Sequence, residues 1–480
     1  MVRGSIRSMN SKLILVALFP MVLCGCQDDT FLEDANPSLP NRPPKAFDVF
    51  VTKVSSEDAV LAWGPVYDPD GDPLYHKVYL NGEPVTGILQ RDSIVKLVNL
   101  KSKTTYSGEV VVTDSINAPV SHAFSFETLK YFLRYDRTFD RFNQAGVGTS
   151  MRVLEDGGLF IVGTATLYNY DALYITRTDS LGYKQWTNII PSAANPNFIP
   201  RPVLTFHEND YYIAHSASIN RVNSSGELVW QHLSDAGFIW GYMNVIVTDD
   251  HELLALGVER GSGNPTLSRF TLSGELIWER PVETELDVRP QQIVQSHEPG
   301  KYLILGTTES HLSLTQIDGD GVEDWTRLLI DDRLNFPSRI KILDSGYIIV
   351  GDSWGEYNVS AGRAVRLDRD ANVLWDIHFL GPGTDTDFNS VHETRDGGFV
   401  IVGQDGNYEQ DGLLIKLSPT GDILWKRFFS PDYLDYRWLL FDVVETSDGG
   451  FAMCGIKNYT WSDYGKELGM WLVKVDDMGQ

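Results

Sequence analysis

The stretch Ser390–Phe429 reads SVHETRDGGFVIVGQDGNYEQDGLLIKLSPTGDILWKRFF and decides the fold. Ser390–Arg395 alternates apolar and polar residues, the pattern of a half-buried strand. Asp396-Gly397-Gly398 then supplies a tight turn, because glycine reaches positive φ without steric cost. Phe399–Gly403 is a short apolar run and reads as a buried strand. A polar loop leads into a third strand, Gly412–Leu417. The turn Ser418-Pro-Thr-Gly421 returns the chain into a fourth strand, Asp422–Phe429, which contains Trp425. Four strands joined by short turns form one antiparallel sheet, and the whole unit recurs.

Six tryptophans mark the copies: Trp186, Trp230, Trp278, Trp325, Trp375 and Trp425, spaced by 44, 48, 47, 50 and 50 residues. A period in the forties with four strands per copy is the signature of a propeller blade. Apolar runs ending in glycine precede five of these tryptophans: Leu159–Gly163, Leu253–Gly257, Tyr302–Gly306, Tyr347–Gly351 and Phe399–Gly403. Trp230 closes a shorter copy containing Tyr211–Ala214. A seventh copy begins at Phe441 and reaches Gln480 before a fourth strand. Arg134–Phe139 resembles the segments that follow each tryptophan. It is therefore expected to supply the missing strand and shut the ring, which removes exposed sheet edges.

Residues 46–129 carry a different pattern of short alternating strands. Ala59–Trp63 ends on a tryptophan, Tyr75–Leu80 leads into the hairpin turn Asn81-Gly82, and Leu100 and Tyr106 precede the valine-rich Val110–Asp114. This set resembles the fibronectin type III module over roughly 85 residues. The expected fold is all-β: a fibronectin type III β-sandwich followed by a seven-bladed β-propeller closed by an N-terminal outer strand at about 133–139. The turns before the tryptophans, such as Asp179–Trp186 and Asp318–Trp325, resemble the tryptophan-docking motif of quinoprotein-like propellers. The period and the Asp-Gly-Gly turns also resemble repeat propellers of secreted Bacteroidetes proteins. Quinone-dependent dehydrogenases use adjacent cysteines, and this chain has no such pair beside its repeats. No cofactor is expected.

The chain's start predicts an address. Lys12 precedes the apolar run Leu13–Leu23, which is too short to span a bilayer and reads as a secretory signal. Leu23-Cys24-Gly25-Cys26 resembles the lipobox of bacterial lipoproteins, which implies removal of residues 1–25 and lipidation of Cys26. The acidic residues after Cys26 resemble the surface-export signal of Bacteroidetes lipoproteins. Residues 26–45 form an acidic, proline-rich tether, residues 46–129 the first domain and residues 130–480 the propeller. The implied location is the outer membrane, lipid-anchored and exposed at the cell surface, with the membrane as a partner. The net charge is −25, and −28 once residues 1–25 are removed, which argues against general binding to nucleic acid. Cys454 is left without a partner and reads as a buried inert thiol.

Catalytic motifs are sparse. Gly351-Asp-Ser353-Trp-Gly355 matches a nucleophile-elbow pattern, but that motif needs a following helix, and no paired histidine can be assigned from sequence. His207, His297 and His392 lie near inner strands without a motif to join them. The acidic loop Asp68, Asp70, Asp72 offers a weak calcium site or an ordinary Asp-Gly turn. Loops leading into the inner strands carry Phe198, Arg201, Trp240, Tyr242, Arg289, Phe336, Arg339, Phe388, Tyr433, Tyr436, Arg437 and Trp438, a candidate binding face. Loops between the middle strands add Tyr168, Tyr170, Trp354, Tyr357, Tyr408, Tyr459, Trp461 and Tyr464. Aromatic rings stack on sugars or anchor proteins, and arginines clamp carboxylate or sulfate. The expected function is non-catalytic binding of a polysaccharide or a surface protein. The alternatives are a propeller polysaccharide lyase or glycoside hydrolase, and a structural component of a surface assembly.

Overall fold

The computed structural model describes residues 40–86, 94–139, 146–167, 170–191, 201–234, 239–259, 261–309, 311–329, 335–354, 359–383, 385–406, 410–430, 437–459 and 469–480. Cys26 and the proposed signal lie outside them. The chain is all-β and divides into two compact units, Met1–Lys130 and Tyr131–Gln480. No helix among the described residues is long and apolar enough to cross a membrane.

The first unit has two antiparallel sheets. One pairs Val49–Val54, Ala59–Trp63 and Ile94–Leu97; the other runs Glu83–Pro84, Tyr75–Leu80, Thr105–Thr113, Val120–Glu127. Asn81 and Gly82 both adopt positive φ, 50° and 87°, so the backbone twist of their turn matches that of the hairpin it joins. Trp63, Leu61, Val78 and Val110 meet in one buried cluster drawn from both sheets. Tyr106 packs there too, and its hydroxyl accepts from the Lys101 amide at 2.8 Å, pinning the corner before the valine-rich strand.

The second unit is seven four-stranded antiparallel sheets in propeller-like succession. Six are consecutive in sequence, as in Thr386–Glu393, Phe399–Asp405, Asp411–Leu417 and Ile423–Phe429. The seventh joins Arg437–Glu445, Phe451–Tyr459 and Gly469–Val475 to Tyr135–Phe139, which pairs in register from Met470↔Phe139 to Lys474↔Tyr135. The inner strand Arg437–Glu445 packs against the inner strands of both the sixth sheet, Thr386–Glu393, and the first, Gly146–Val153.

Two recurring devices explain the repeat. The first joins neighbouring sheets through the tryptophans. A Cβ on Gly226 would lie 2.2 Å from the Trp186 ring, one on Gly274 2.7 Å from Trp230, and one on Gly421 3.0 Å from Trp375. Each ring is thus seated on the turn glycine of the following sheet. The strand Tyr135–Phe139 has no tryptophan; there Tyr135 takes the place and lies under Gly182 of the first sheet. Trp230 and Trp375 also donate from Nε1 to Leu272 O and Pro419 O at 3.0 and 3.1 Å. These bonds satisfy the polar edge of a partly buried indole.

The second device is a bulge. Gly163, Gly306, Gly351, Gly403 and Gly455, each ending an apolar run, face a carbonyl of the inner strand so closely that a side chain cannot fit. A Cβ on Gly403 would sit 1.9 Å from Asp387 O, and one on Gly455 1.8 Å from Leu439 O. Beside that approach the inner strand carries one extra residue, left out of register between Phe388/Ser390 and Leu440/Asp442. The same irregularity falls at Tyr242/Asn244, Pro290/Gln292 and Pro337/Arg339. The extra residues are Met243, Gln291, Ser338, Asn389 and Phe441, with Thr149 between Gly148 and Ser150 of the first sheet as a sixth. A bulge re-aims the side chain that it frees from the ladder.

The strand Tyr135–Phe139 is held by charge as well as pairing. Asp136 accepts from Trp471 Nε1 at 2.9 Å and pairs with Lys457 at 2.7 Å. Lys474, with its side chain 5% exposed, donates to Leu133 O at 2.8 Å and pairs with Asp448 at 2.5 Å. Burial would raise the Asp448 carboxyl, but hydrogen bonds from Lys474, Thr446 and the Gly450 amide outweigh it and hold it below its ordinary value. A carboxylate held low contributes stability that is complete above its unfolded pKa of about 4 and lost as pH falls through the folded value. Melting temperature should therefore fall as pH drops below about 4, and the fall should be shallower in Asp448→Asn. Thermal unfolding followed by circular dichroism across that range checks this.

Candidate functional site

Five of the six bulges converge. Met243, Gln291, Ser338, Asn389 and Phe441 from five sheets line one cavity of about 370 Å³, joined by Arg201 and Val203 from the segment that leads into the second sheet. Around them stand Phe336, Arg339, Asp352, Asp387 and Gln404.

The polar groups form a connected wall. Gln404 Nε2 donates to Asp387 at 2.7 Å, and Ser360 Oγ donates to the same carboxylate at 3.2 Å. Asn389 Nδ2 donates to Gln404 Oε1 at 3.1 Å and to Leu440 O at 2.8 Å. Asn389 Oδ1 accepts from Arg201 Nη1 at 2.5 Å, and the Arg201 guanidinium lies 4.4 Å from the Phe441 ring centre. Burial raises the Asp387 carboxyl against the pull of Gln404, Ser360 and Arg201. Crowding by protein, then the like charge of Arg339, lowers Arg201 to about 10, while Asp387 and Asp352 act the other way. Arg201 is wetted through the cavity, so it remains a cation at neutral pH. Phe336 is 49% exposed and lines the cavity. A wall of amides, carboxylates and arginine beside an exposed aromatic residue can hold a polyhydroxylated ligand.

Of the sequence-predicted face, Arg201, Phe336 and Arg339 meet at this cavity. Tyr242 and Phe388 do not: both are fully buried, and their rings fill the space between sheets. The Tyr242 hydroxyl turns to Ser268 and Glu279 at 3.5 and 3.4 Å. Arg437 is buried and donates to Gln410 Oε1 at 3.3 Å. Trp438 packs on Trp471, ring centres 5.3 Å apart, under Lys457. Arg289 is exposed but does not line the cavity. Phe198, Tyr433 and Tyr436 lie outside the described residues, as do Tyr168, Tyr357, Tyr408, Trp461 and Tyr464. The side chains of Trp240, Tyr170, Trp354 and Tyr459 do as well. Sequence reasoning missed the bulge residues, Asp352, Asp387 and Gln404. The signal was present: glycine at the end of a buried strand marks a bulge in the partner, and the bulged residue is the one freed.

Other expectations need correction. A histidine does pair with the serine of Gly351–Gly355. Ser353 Oγ lies 3.2 Å from His378 Nδ1, and His378 Nε2 lies 3.7 Å from Asp376. Their strands, Gly346–Trp354 and Val373–Phe379, flank the shared neighbour Ser360–Leu367, a meeting that no linear spacing announces. Ser353 is buried, however, and Asp376 is already forked by Arg363 at 2.6 and 2.9 Å. His207, His297 and His392 do not line the cavity. Burial lowers His392 to about 4, with Lys341 adding to the effect. Cys454 is fully buried, and burial pushes its thiol well above the ordinary value.

In the first unit, Asp70 leaves the acidic group. Arg42 takes it at 2.7 Å. Asp114 joins instead, and carboxylate oxygens of Asp68, Asp72 and Asp114 lie within 4.8 Å of one another. Asp68 Oδ1 accepts from the Asp70 and Asp72 amides at 2.8 and 3.1 Å, the bonds of a tight acidic turn. Hard oxygen donors in that arrangement are of the kind that could hold a divalent cation such as calcium.

No family model matches the chain, and no curated protein matches it. Among solved structures it is similar to a protein of unknown function from Bacteroides caccae, with 13% identity over 56% of this chain and 93% of that one and a TM-score of 0.40. It is also similar to the Dos1 propeller, with 11% identity, coverage of 70% and 95%, and a TM-score of 0.41. A third is the Pan2 WD40 domain of Neurospora crassa, with 11% identity, coverage of 69% and 89%, and a TM-score of 0.42.

Proposed function

We propose that the second unit is a closed seven-bladed propeller acting as a binding scaffold, with the bulge-lined cavity as its carbohydrate site. The observation that carries the reading is the convergence of five bulged residues on one polar cavity. Ring closure is supported by the pairing of Tyr135–Phe139 with Gly469–Val475, and by Tyr135 taking a tryptophan's place under Gly182. Cavities of a few hundred Å³ with few convergent polar groups suit small ligands or single sugar units rather than broad protein contact. The first unit, on this reading, is a fibronectin type III-like spacer. Residues 13–26 support export and lipidation at Cys26, which would place the propeller on the outer membrane surface.

A glycan array probed with the full chain tests the site. Gln291 and Phe336 are both exposed, so Gln291→Ala with Phe336→Ala should leave the fold intact. Binding should weaken roughly tenfold or more, since a stacked ring and a hydrogen bond are each worth about 1 kcal/mol. Undiminished glycan binding in the double variant would place the site elsewhere. Capture of a surface protein with no glycan bound would favour a protein partner, and release of unsaturated uronate would favour a lyase.

A further inference from the structure

Arg339 carries a charge that the protein does not satisfy. It is 4% exposed, and its one hydrogen bond is long, with Nη2 donating to Thr149 O at 3.4 Å. Its Nε and Nη1 are buried with no acceptor. Arginine does not shed its proton in proteins, and leaving a buried charge unpaired is strongly destabilising. Asp352 and Asp387 line the same cavity and attract Arg201, yet neither supplies an acceptor to the two free nitrogens. The cavity therefore has a positive pole at Arg339 that awaits an acceptor, and a separate wall of carboxylate and amide groups.

Resting on the carbohydrate reading above, we infer that the cavity is specific for an acidic sugar, whose anionic substituent accepts from the unpaired N–H groups of Arg339. Asp387, Gln404 and Gln291 then meet ring hydroxyls, and Phe336 covers the apolar face of the ring. The volume of about 370 Å³ suits one pyranose with its substituents. A neutral sugar would leave the Arg339 nitrogens unmet, and a site with orphaned polar groups discriminates against the ligand that fails to pair them.

The test is calorimetric titration of the full chain with oligouronates of three epimers, the same oligosaccharides with carboxyl groups reduced to alcohols, and a sulfated neutral oligosaccharide. An acidic form should bind roughly ten- to hundredfold tighter than its neutral counterpart, the range for a hydrogen bond to a charged group. Preference for the uronate or for the sulfated chain assigns the anion as carboxylate or sulfate. Arg339→Met should erase the preference without lowering the melting temperature of the unliganded protein, because it removes an unpaired charge. A lowered melting temperature would make Arg339 a structural residue and count against the inference. Arg201→Gln, at a wetted position, should keep the fold and reduce the preference, since it removes a second positive charge from the cavity; an unchanged preference would also count against it. Equal affinity for acidic and neutral forms in the wild type would overturn the acidic specificity and leave the carbohydrate reading standing. Binding of neither would overturn both.

Discussion

Excising residues 131–139 will leave the second unit largely unfolded or aggregated at ordinary temperature. The strand Gly469–Val475 would lose its partner and become an open sheet edge, an invitation to pair with another chain. Tyr135 and Phe139 leave the core cluster that they share with Met470 and Leu472. Removing or exposing four large apolar side chains at about 2 kcal/mol each approaches the whole stability of a typical domain. Lys474 would lose Leu133 O, and Trp471 Nε1 would lose Asp136. The melting transition, followed by circular dichroism and light scattering, should disappear or fall by more than about 10 °C. Supplying the excised segment as a peptide should restore part of it. A deletion that melts like the wild type would contradict the proposal that this strand closes the ring.

The second large effect is at Gly403. Gly403→Ala places a carbon where only 1.9 Å separates it from Asp387 O, and the obstacle is backbone that cannot swing aside as a side chain would. The inner strand must move, at a cost of about 3 kcal/mol or more. Asn389 is the bulged residue beside that approach and bonds Arg201, Gln404 and Leu440 O, so the cavity wall should lose its register as well. Both stability in denaturant and glycan binding should fall. Gly64→Ala is the control, since a Cβ there meets nothing within 4 Å. If Gly403→Ala behaves like Gly64→Ala, the bulge is not imposed by the glycine.

Much of the fold was legible because its devices are written in residue types that few others can replace. Trp186, Trp230, Trp375 and Trp425 sit against turn glycines, most inner-strand bulges face a strand glycine, and both devices recur at the repeat period. The strand at 135–139 was legible by likeness to the segments that follow each tryptophan. The site was less so. Aromatic and arginine content marks a loop as able to bind, but the same rings fill cores, and Tyr242 and Phe388 did so. Asp352, Asp387 and Gln404 are ordinary polar residues in strand positions, and only the axial convergence of several sheets gives them a shared role. Asp114 joined Asp68 and Asp72 across more than forty residues of chain, and His378 met Ser353 across an intervening strand, neither of which spacing reveals.

The sharpest measurement is thiol accessibility at a bulge position. Ser338→Cys puts a reactive group on the cavity wall, while the native Cys454 is fully buried. Peptide-resolved mass spectrometry after exposure to a water-soluble alkylating reagent reads each site separately. Rapid modification at position 338, slowed by bound glycan and abolishing its binding, with Cys454 untouched, is the predicted result. A thiol at 338 as protected as Cys454, or one whose modification leaves glycan binding intact, would contradict a ligand site built from the converging bulges.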